Sequence, residues 1–278
     1  MFENRSLFIA TKHQKEKVIA PILNKELQVN CFSSDSFDTD SFGTFSGEIE
    51  RKSDALSTVR LKCIEANKFT KCDLILASEG SFGVHPSLFF AQADEEIIML
   101  KDFKNDLEIV VREISLDTNF GGALLLNEKE LIKFLENSKF PSHGIILKSS
   151  EKNFQKVYKG IIDEKKLLLK FNSLIKEFGV VYAETDMRAM FNPTRMKVIA
   201  LATKKLIDKI KSKCPECSTP GFDILKANPG LVCANCNSPT RSILSLTYQC
   251  QKCFYQTNIL YPKGKTKEDP TFCDNCNP

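Results

Sequence analysis

The chain has 278 residues, 42% of them hydrophobic, which is enough for one good-sized core and a small satellite domain. Lys and Arg outnumber Asp and Glu by only 39 to 35, so charge alone gives no reason to expect a polyanion partner. No apolar run approaches the roughly 18 residues of a membrane span, and the apolar start is too short for a signal peptide, so a soluble, cytoplasmic protein with no membrane partner is expected.

Ser6 to Ala10 reads as a strand, followed at once by the polar cluster Thr11, Lys12 and His13. A helical stretch comes next, with Val18, Ile19, Ile22 and Leu23 on one side and Pro21 starting or kinking it. Leu27 to Phe32 is predicted as a second strand, and a polar loop with Asp35, Asp38, Asp40 and Glu48 follows. Ser53 is placed to cap a helix reaching Lys68. The strand Asp73 to Ala77 runs into a glycine-punctuated turn, Ser78 to Pro86, whose backbone can approach a ligand closely. Strands near Glu96 to Leu100 and Leu107 to Ile114 precede a helix that starts at Asn127 or Glu128 and ends at Asn137. After His143 come a short strand, Gly144 to Leu147, a helix from Lys165 to Phe178 stopped by Gly179, and a last strand, Val180 to Ala183.

Strands alternating with helices predict an α/β domain with a largely parallel sheet over residues 1–192. Ligands bind beyond the carboxyl ends of strands in such sheets. Three polar clusters stand in that position: Thr11 to His13, Ser78 to His85, and Glu184 to Arg188. They converge if their strands are parallel neighbours; taken singly, each reads first as an ordinary set of caps and loop polars, and only the three together point to a site.

The last cluster opens the stretch ETDMRAMFNPTRM, Glu184 to Met196. Carboxylates such as Glu184 and Asp186 suit hard cations, and the Arg188 guanidinium forks onto phosphate. The bland counterpart is an i, i+4 salt bridge between Glu184 and Arg188. Asn192 and Pro193 read as the cap and first residue of a basic amphipathic helix that connects the domains over residues 193–213. Arg195 in its first turn is placed to help hold an anion.

Residues 214–278 carry four CxxC pairs: Cys214 and Cys217, Cys233 and Cys236, Cys250 and Cys253, Cys273 and Cys276. Eight thiolates with no open position predict two structural zinc ions in a double zinc-ribbon-like module, an iron–sulfur cluster being the lesser alternative. Sequential pairing of the knuckles fits familiar spacing, and nested pairing around the two middle knuckles stays open. The module has six Lys or Arg against five Asp or Glu, so it lacks the basic stripe of a phosphate-backbone reader, although Phe254, Tyr255 and Tyr261 offer stacking faces. Cys31, Cys63 and Cys72 lie in or beside apolar runs and read as buried free thiols.

The motifs ATKHQKE, DTDSFGTFSGEI, ASEGSFGVHP, ETDMRAMFNPTRM, GLVCANCNSPT and CDNCNP, in this order, resemble an uncharacterised bacterial family known as a domain of unknown function. Val84 and Val232 stand where that family's pattern has proline. A fainter similarity is to the pyrophosphatases of noncanonical purine nucleoside triphosphates. Their Thr-x-Asn-x-x-Lys is echoed by Thr11, with His13 and Glu16 at the Asn and Lys positions, their helical Lys-Ala by Lys62 and Cys63, and their strand-end acid by Glu79, Gly80 and Ser81. That resemblance implies a fold and a phosphorylated ligand class.

The residues together predict a magnesium-assisted hydrolase or transferase for a phosphorylated small molecule or nucleotide. In it Glu79, Glu184 and Asp186 hold the metal, Lys12, Arg188 and Arg195 the phosphate, and His13 or His85 exchanges protons. The alternative is a zinc-ribbon module that binds nucleic acid or protein without catalysis.

Overall fold

The computed structural model describes residues 1–39, 54–152 and 154–278, so Asp40, Glu48 and Ser53 lie outside the described residues. Leu7, Phe8, Ile9 and Ala10 are apolar in succession, and β1 (Ser6–Ala10) is accordingly buried on both faces. It lies parallel to β2 (Asn30–Phe32) on one side and β3 (Leu74–Val84) on the other. The crossovers contain α1 (Glu16–Leu27), with Pro21 inside it, and α2 (Ala55–Thr70). Asp54 caps α2 by accepting from the N–H groups of Leu56 and Ser57 at 2.9 and 3.0 Å.

From β3 onward the sheet is antiparallel, through β4 (Gln92–Asp102) and β5 (Leu107–Ser115), in the order β2-β1-β3-β4-β5. The expectation of a largely parallel sheet is thus corrected to a mixed one. The reason is connection length: residues 85–91 and 103–106 suffice for hairpins, whereas a parallel crossover takes about a dozen residues or more. The supposed turn at Ser78 to Val84 is the second half of β3, because β4 continues to pair with it as far as Val84. Val59, Cys63 and Ala66 of α2 pack with Phe8, Ile75, Ala77, Ile97 and Met99 of the sheet in one core.

A second sheet, wholly antiparallel, has the order β6-β9-β7-β8. It comprises β6 (Gly122–Leu125), β7 (Ile145–Lys148), β8 (Val157–Ile161) and β9 (Val181–Thr185), covered by α3 (Glu128–Asn137) and α4 (Glu164–Phe178). Leu131, Leu167, Phe171 and Leu174 of the two helices form a core with Leu125, Ile145, Leu147, Ile161 and Val181. Gly179 ends α4 at φ 74°, the left-handed conformation that glycine adopts without strain. β6 and β8 have no counterpart in the sequence reading; each is short and contains a glycine.

The last helix, α5 (Pro193–Lys211), crosses the division of the chain into two compact units, Met1–Leu206 and Ile207–Pro278. The second unit is a three-stranded antiparallel sheet of β10 (Asp223–Pro229), β11 (Ile243–Gln249) and β12 (Gln256–Leu260). No helix among the described residues is long and apolar enough to cross a membrane.

Candidate functional site

The buried face of β4 reverses the usual pattern. Asp94, Glu96, Ile98 and Leu100 alternate along one face, and all four are at most 1% exposed. Opposite them on β3, Ser78, Gly80 and Phe82 line the same face, with Gly80 in register with Glu96 and Phe82 with Asp94. Charges placed there need partners to replace lost water. Glu96 Oε1 accepts from Arg195 Nε at 2.6 Å, and both side chains are wholly buried. Lys15, buried at the start of α1, donates to Ser78 Oγ at 3.0 Å and lies 3.6 Å from Glu96 Oε2.

Gly80 makes room for this arrangement. A Cβ built on it would lie 2.7 Å from Glu96 Oε1 and collide with Arg195 Nη2. Phe82 supplies a wall, its ring centroid 5.0 Å from the Arg195 guanidinium and 5.7 Å from the stacked ring of Phe120. Burial pushes the Asp94 carboxyl up to about 7, helped by the negative charge of Glu96, and burial brings the Lys15 ammonium down to about 8. β1 stops pairing at Ala10, opposite Ala77, so the cluster lies where β3 runs past the carboxyl end of β1. The loop from there to α1 passes through His13 and Gln14 at φ 67° and 63°, two successive left-handed residues that are not glycine.

Arg195 comes from ETDMRAMFNPTRM, which is a hydrogen-bonded joint. Asp186, fully buried, accepts at Oδ1 from the Arg188 N–H (3.1 Å) and Nε (3.0 Å), and at Oδ2 from Arg188 Nη2 (2.6 Å) and the Gly160 N–H (3.0 Å). Asn192 caps α5 by accepting from the Arg195 N–H at 2.9 Å, and its amide donates to Asn119 Oδ1 at 2.8 Å. Arg195 Nη1 donates in turn to the Met187 carbonyl. His143 Nε2 accepts from the Thr194 N–H at 3.3 Å, and burial lowers its pKa. The joint therefore ties β7–β8 and the start of α5 together, and carries a guanidinium across to β4.

The residues singled out in the sequence separate into several places. β1 and β3 are parallel neighbours, but β9 belongs to the other sheet, so the three clusters do not share one edge. Glu79 pairs with Lys62 on α2, Glu184 with Lys148 at 2.8 Å, and Asp186 with Arg188. Burial raises the Glu184 pKa. The expected helical pair of Arg188 and Glu184 is absent because Glu184 lies in β9. Lys12 reaches Asp38 at the surface, 2.9 Å away, and His85 Nδ1 accepts from the N–H groups of Ser87 and Leu88 within its own loop. Lys15, Asp94 and Glu96 were missed. Their sequence signal is ADEEIIML, where acids two apart continue into Ile98 and Leu100 on the same strand face.

The eight cysteines of the second unit form two groups. Cys214, Cys217, Cys250 and Cys253 make one, and Cys233, Cys236, Cys273 and Cys276 the other, with all Sγ atoms in each group within 4.8 Å of one another. Knuckles pair first with third and second with fourth, which corrects the sequential expectation and differs from the nested one. Strand direction is the cause. Asp223 at the start of β10 pairs with Gln249 at the end of β11, and Gln249 with Gln256, so the first and third knuckles meet at one end of the sheet. The second knuckle lies in the β10–β11 connection and the fourth after β12, both at the far end.

The Sγ pairs Cys214–Cys253 and Cys217–Cys250 are 3.6 Å apart, as is Cys236–Cys273, and Cys233–Cys276 is 3.8 Å. Four thiolates about 2.3 Å from one tetrahedral ion stand about 3.8 Å apart, so each group can hold a single metal ion. Hydrogen bonds from Thr219 and from Ser238 lower the Cys217 and Cys236 thiols, while thiol neighbours in the same groups push Cys253 and Cys276 up. The residues just after the first three knuckles, Ser218, Asn237 and Phe254, share φ values near 60°. Cys63, by contrast, is completely buried and its thiol is pushed up to about 12.

A family profile described as a domain of unknown function, DUF6671, matches residues 62–278. No curated protein sequence matches the chain. Among solved structures, protein VC0702 from Vibrio cholerae aligns at 7% identity and a TM-score of 0.31, over 74% of this chain and 96% of that one. Lipoprotein GNA1162 from Neisseria meningitidis aligns at 13% identity and a TM-score of 0.22, over 48% and 93%. Both TM-scores are below 0.5, and neither likeness carries an argument about fold or function.

Proposed function

The chain belongs to DUF6671, a family described as a domain of unknown function, and from the site alone we propose that its first unit binds a phosphorylated small molecule and acts on the phosphoryl group. The observation that carries this reading is the buried set of Lys15, Arg195, Asp94 and Glu96 beside the end of β1. With a proton on Asp94, the two cations outnumber the one remaining anion, Glu96, which gives the cluster a net charge suited to an anionic group. The Asp94 pKa of about 7 suits a residue that gives or takes a proton near neutrality. Phosphoryl chemistry needs chiefly positioning and charge neutralisation, which these residues can supply. Lys15, rather than Lys12, is the lysine to be tested.

The two cysteine groups are assigned to structural zinc, because four closely spaced thiolates leave no open position for a substrate. Metal analysis of the purified chain is expected to find about two zinc ions per molecule. The ligand reading is tested by thermal shift of the zinc-loaded protein with inorganic pyrophosphate and a panel of nucleotides, comparing wild type with Lys15→Met. A ligand that binds only the folded form raises its melting temperature. A rise in wild type that is absent from the variant supports the site; equal shifts in both place any anion elsewhere.

A second reading rests on the zinc-binding unit. Ile224 and Leu225 on β10, Ile259 and Leu260 on β12, and Phe254 are all exposed apolar side chains of this unit, of the kind that partners cover. Tyr255 stacks with Phe222 and is committed to the unit's own packing. Salt-dependent retention of the protein on single-stranded nucleic acid would favour a nucleic-acid partner for this unit.

A further inference from the structure

Among the described residues, every buried carboxylate oxygen that lacks a hydrogen-bond donor belongs to two neighbouring side chains of β4. They are both oxygens of Asp94 and Oε2 of Glu96. Buried polar groups are nearly always satisfied, so three such oxygens on one strand face mark a position where something positive belongs. Glu96 Oε2 lies 3.6 Å from the Lys15 ammonium, beyond hydrogen-bond distance. Asp94 is flanked on the sheet by Phe82 and Ser115, its partners in register on β3 and β5, and neither donates to it.

We propose that Asp94 and Glu96 hold a hard divalent cation, magnesium or manganese, together with the phosphorylated ligand. The inference deepens the phosphate-site reading and rests on it. An all-oxygen donor set with no sulfur or imidazole selects hard ions over zinc or copper. Magnesium characteristically takes one or two carboxylates, and fills its remaining positions with water and the oxygens of a bound phosphate. The charges close on that arrangement: the ion balances Asp94 and Glu96, leaving Lys15 and Arg195 for two negative charges of the phosphate. Gly80, with no Cβ, lets Glu96 Oε1 and the Arg195 guanidinium pack directly against β3. Glu79, Glu184 and Asp186, the acids that stood out in the sequence, each pair with a lysine or arginine and, unlike Asp94 and Glu96, have no buried oxygen without a donor.

The experiment uses the full chain with its zinc sites filled. Manganese binding is followed by electron paramagnetic resonance with and without inorganic pyrophosphate, for wild type, Asp94→Asn and Glu96→Gln. Wild type is expected to bind about one manganese ion beyond background, about tenfold more tightly with pyrophosphate present, and magnesium is expected to compete. Asp94→Asn is expected to lose at least about tenfold in affinity while keeping its zinc and its circular-dichroism spectrum. If Asp94→Asn does not fold, Asp94→Ser takes its place, and the wild-type titration is itself decisive. No manganese binding by wild type, or binding unchanged in the Asp94 variants, overturns the cation site. Pyrophosphate affinity measured by calorimetry without divalent ions reads the anion site separately. Pyrophosphate binding in a protein that binds no manganese under either condition leaves the phosphate reading standing and removes the cation, while manganese binding in a protein that binds no pyrophosphate overturns both the coupling and the phosphate reading.

Discussion

At the scale of single residues, burial shifts a carboxyl and an ammonium away from their ordinary pKa values, each towards its neutral form. Folding raises the Asp94 pKa from 3.8 to about 7, so between those values the native protein keeps a proton that the unfolded chain has lost. The contribution of Asp94 to stability is therefore greatest below its unfolded value and declines as pH rises through about 7. Lys15 works in the opposite sense: its cost is fully present below about 8 and is relieved as pH climbs towards 10.5. The site is thus least favourable to its own fold near neutral pH. Asp94→Asn, neutral throughout, is expected to gain on wild type between pH 5 and 8 by on the order of 3 kcal/mol, and to hold a constant difference above that. Denaturant unfolding across that range checks this, and parallel curves for the two proteins would contradict it. Neither residue stood out in the sequence: Lys15 is one of three lysines within six residues, and Asp94 is one of three successive acids. Only the depth of burial, set by strand pairing, distinguishes them from their neighbours.

At the scale of elements, the stretch from Glu184 to Met196 forms a hydrogen-bonded joint, and its cap of Asn192 before Pro193 forms as the residue chemistry dictates. What the sequence could not show is the direction in which its charges face. Asp186 accepts four hydrogen bonds inside the joint. Asp186→Asn removes the charge but not the shape, and is expected to lower stability by roughly 2–4 kcal/mol. Its pyrophosphate-induced thermal shift is expected to survive, provided measurements are made where the variant is folded. Loss of that shift in well-folded variant would give Asp186 a direct part in ligand binding. Helix boundaries and most strands were legible because periodicity and caps are local properties. The antiparallel half of the first sheet was legible too, had the short spacing between the strands near Glu96 and Leu107 been weighed against the length of a crossover. β8, by contrast, is held largely by tertiary packing. Gly160 within it lies at φ 65°, where a Cβ would meet the Phe191 ring, so its place depends on a residue 31 positions later.

For the whole molecule, eight cysteines in four knuckles announced two metal sites from the sequence, while their pairing depended on the three-stranded sheet between them. Joining the first knuckle to the third and the second to the fourth means that neither site closes within one hairpin. The order in which the chain is made then becomes a liability. The first two knuckles emerge together, with the 15-residue spacing of an ordinary four-thiolate site, before the third exists. At typical synthesis rates they wait about 1–3 s for Cys253, long enough to capture an ion between the wrong partners. The same trap is open to the unfolded chain on refolding. Recovery of the native second unit is expected to slow as free zinc rises above about two equivalents, and to quicken with a weak chelator that lets ions exchange; stopped-flow tyrosine fluorescence would follow both. A refolding rate indifferent to zinc would show that the sheet assembles before any ion is taken up, with metal arriving only to lock strands already in register.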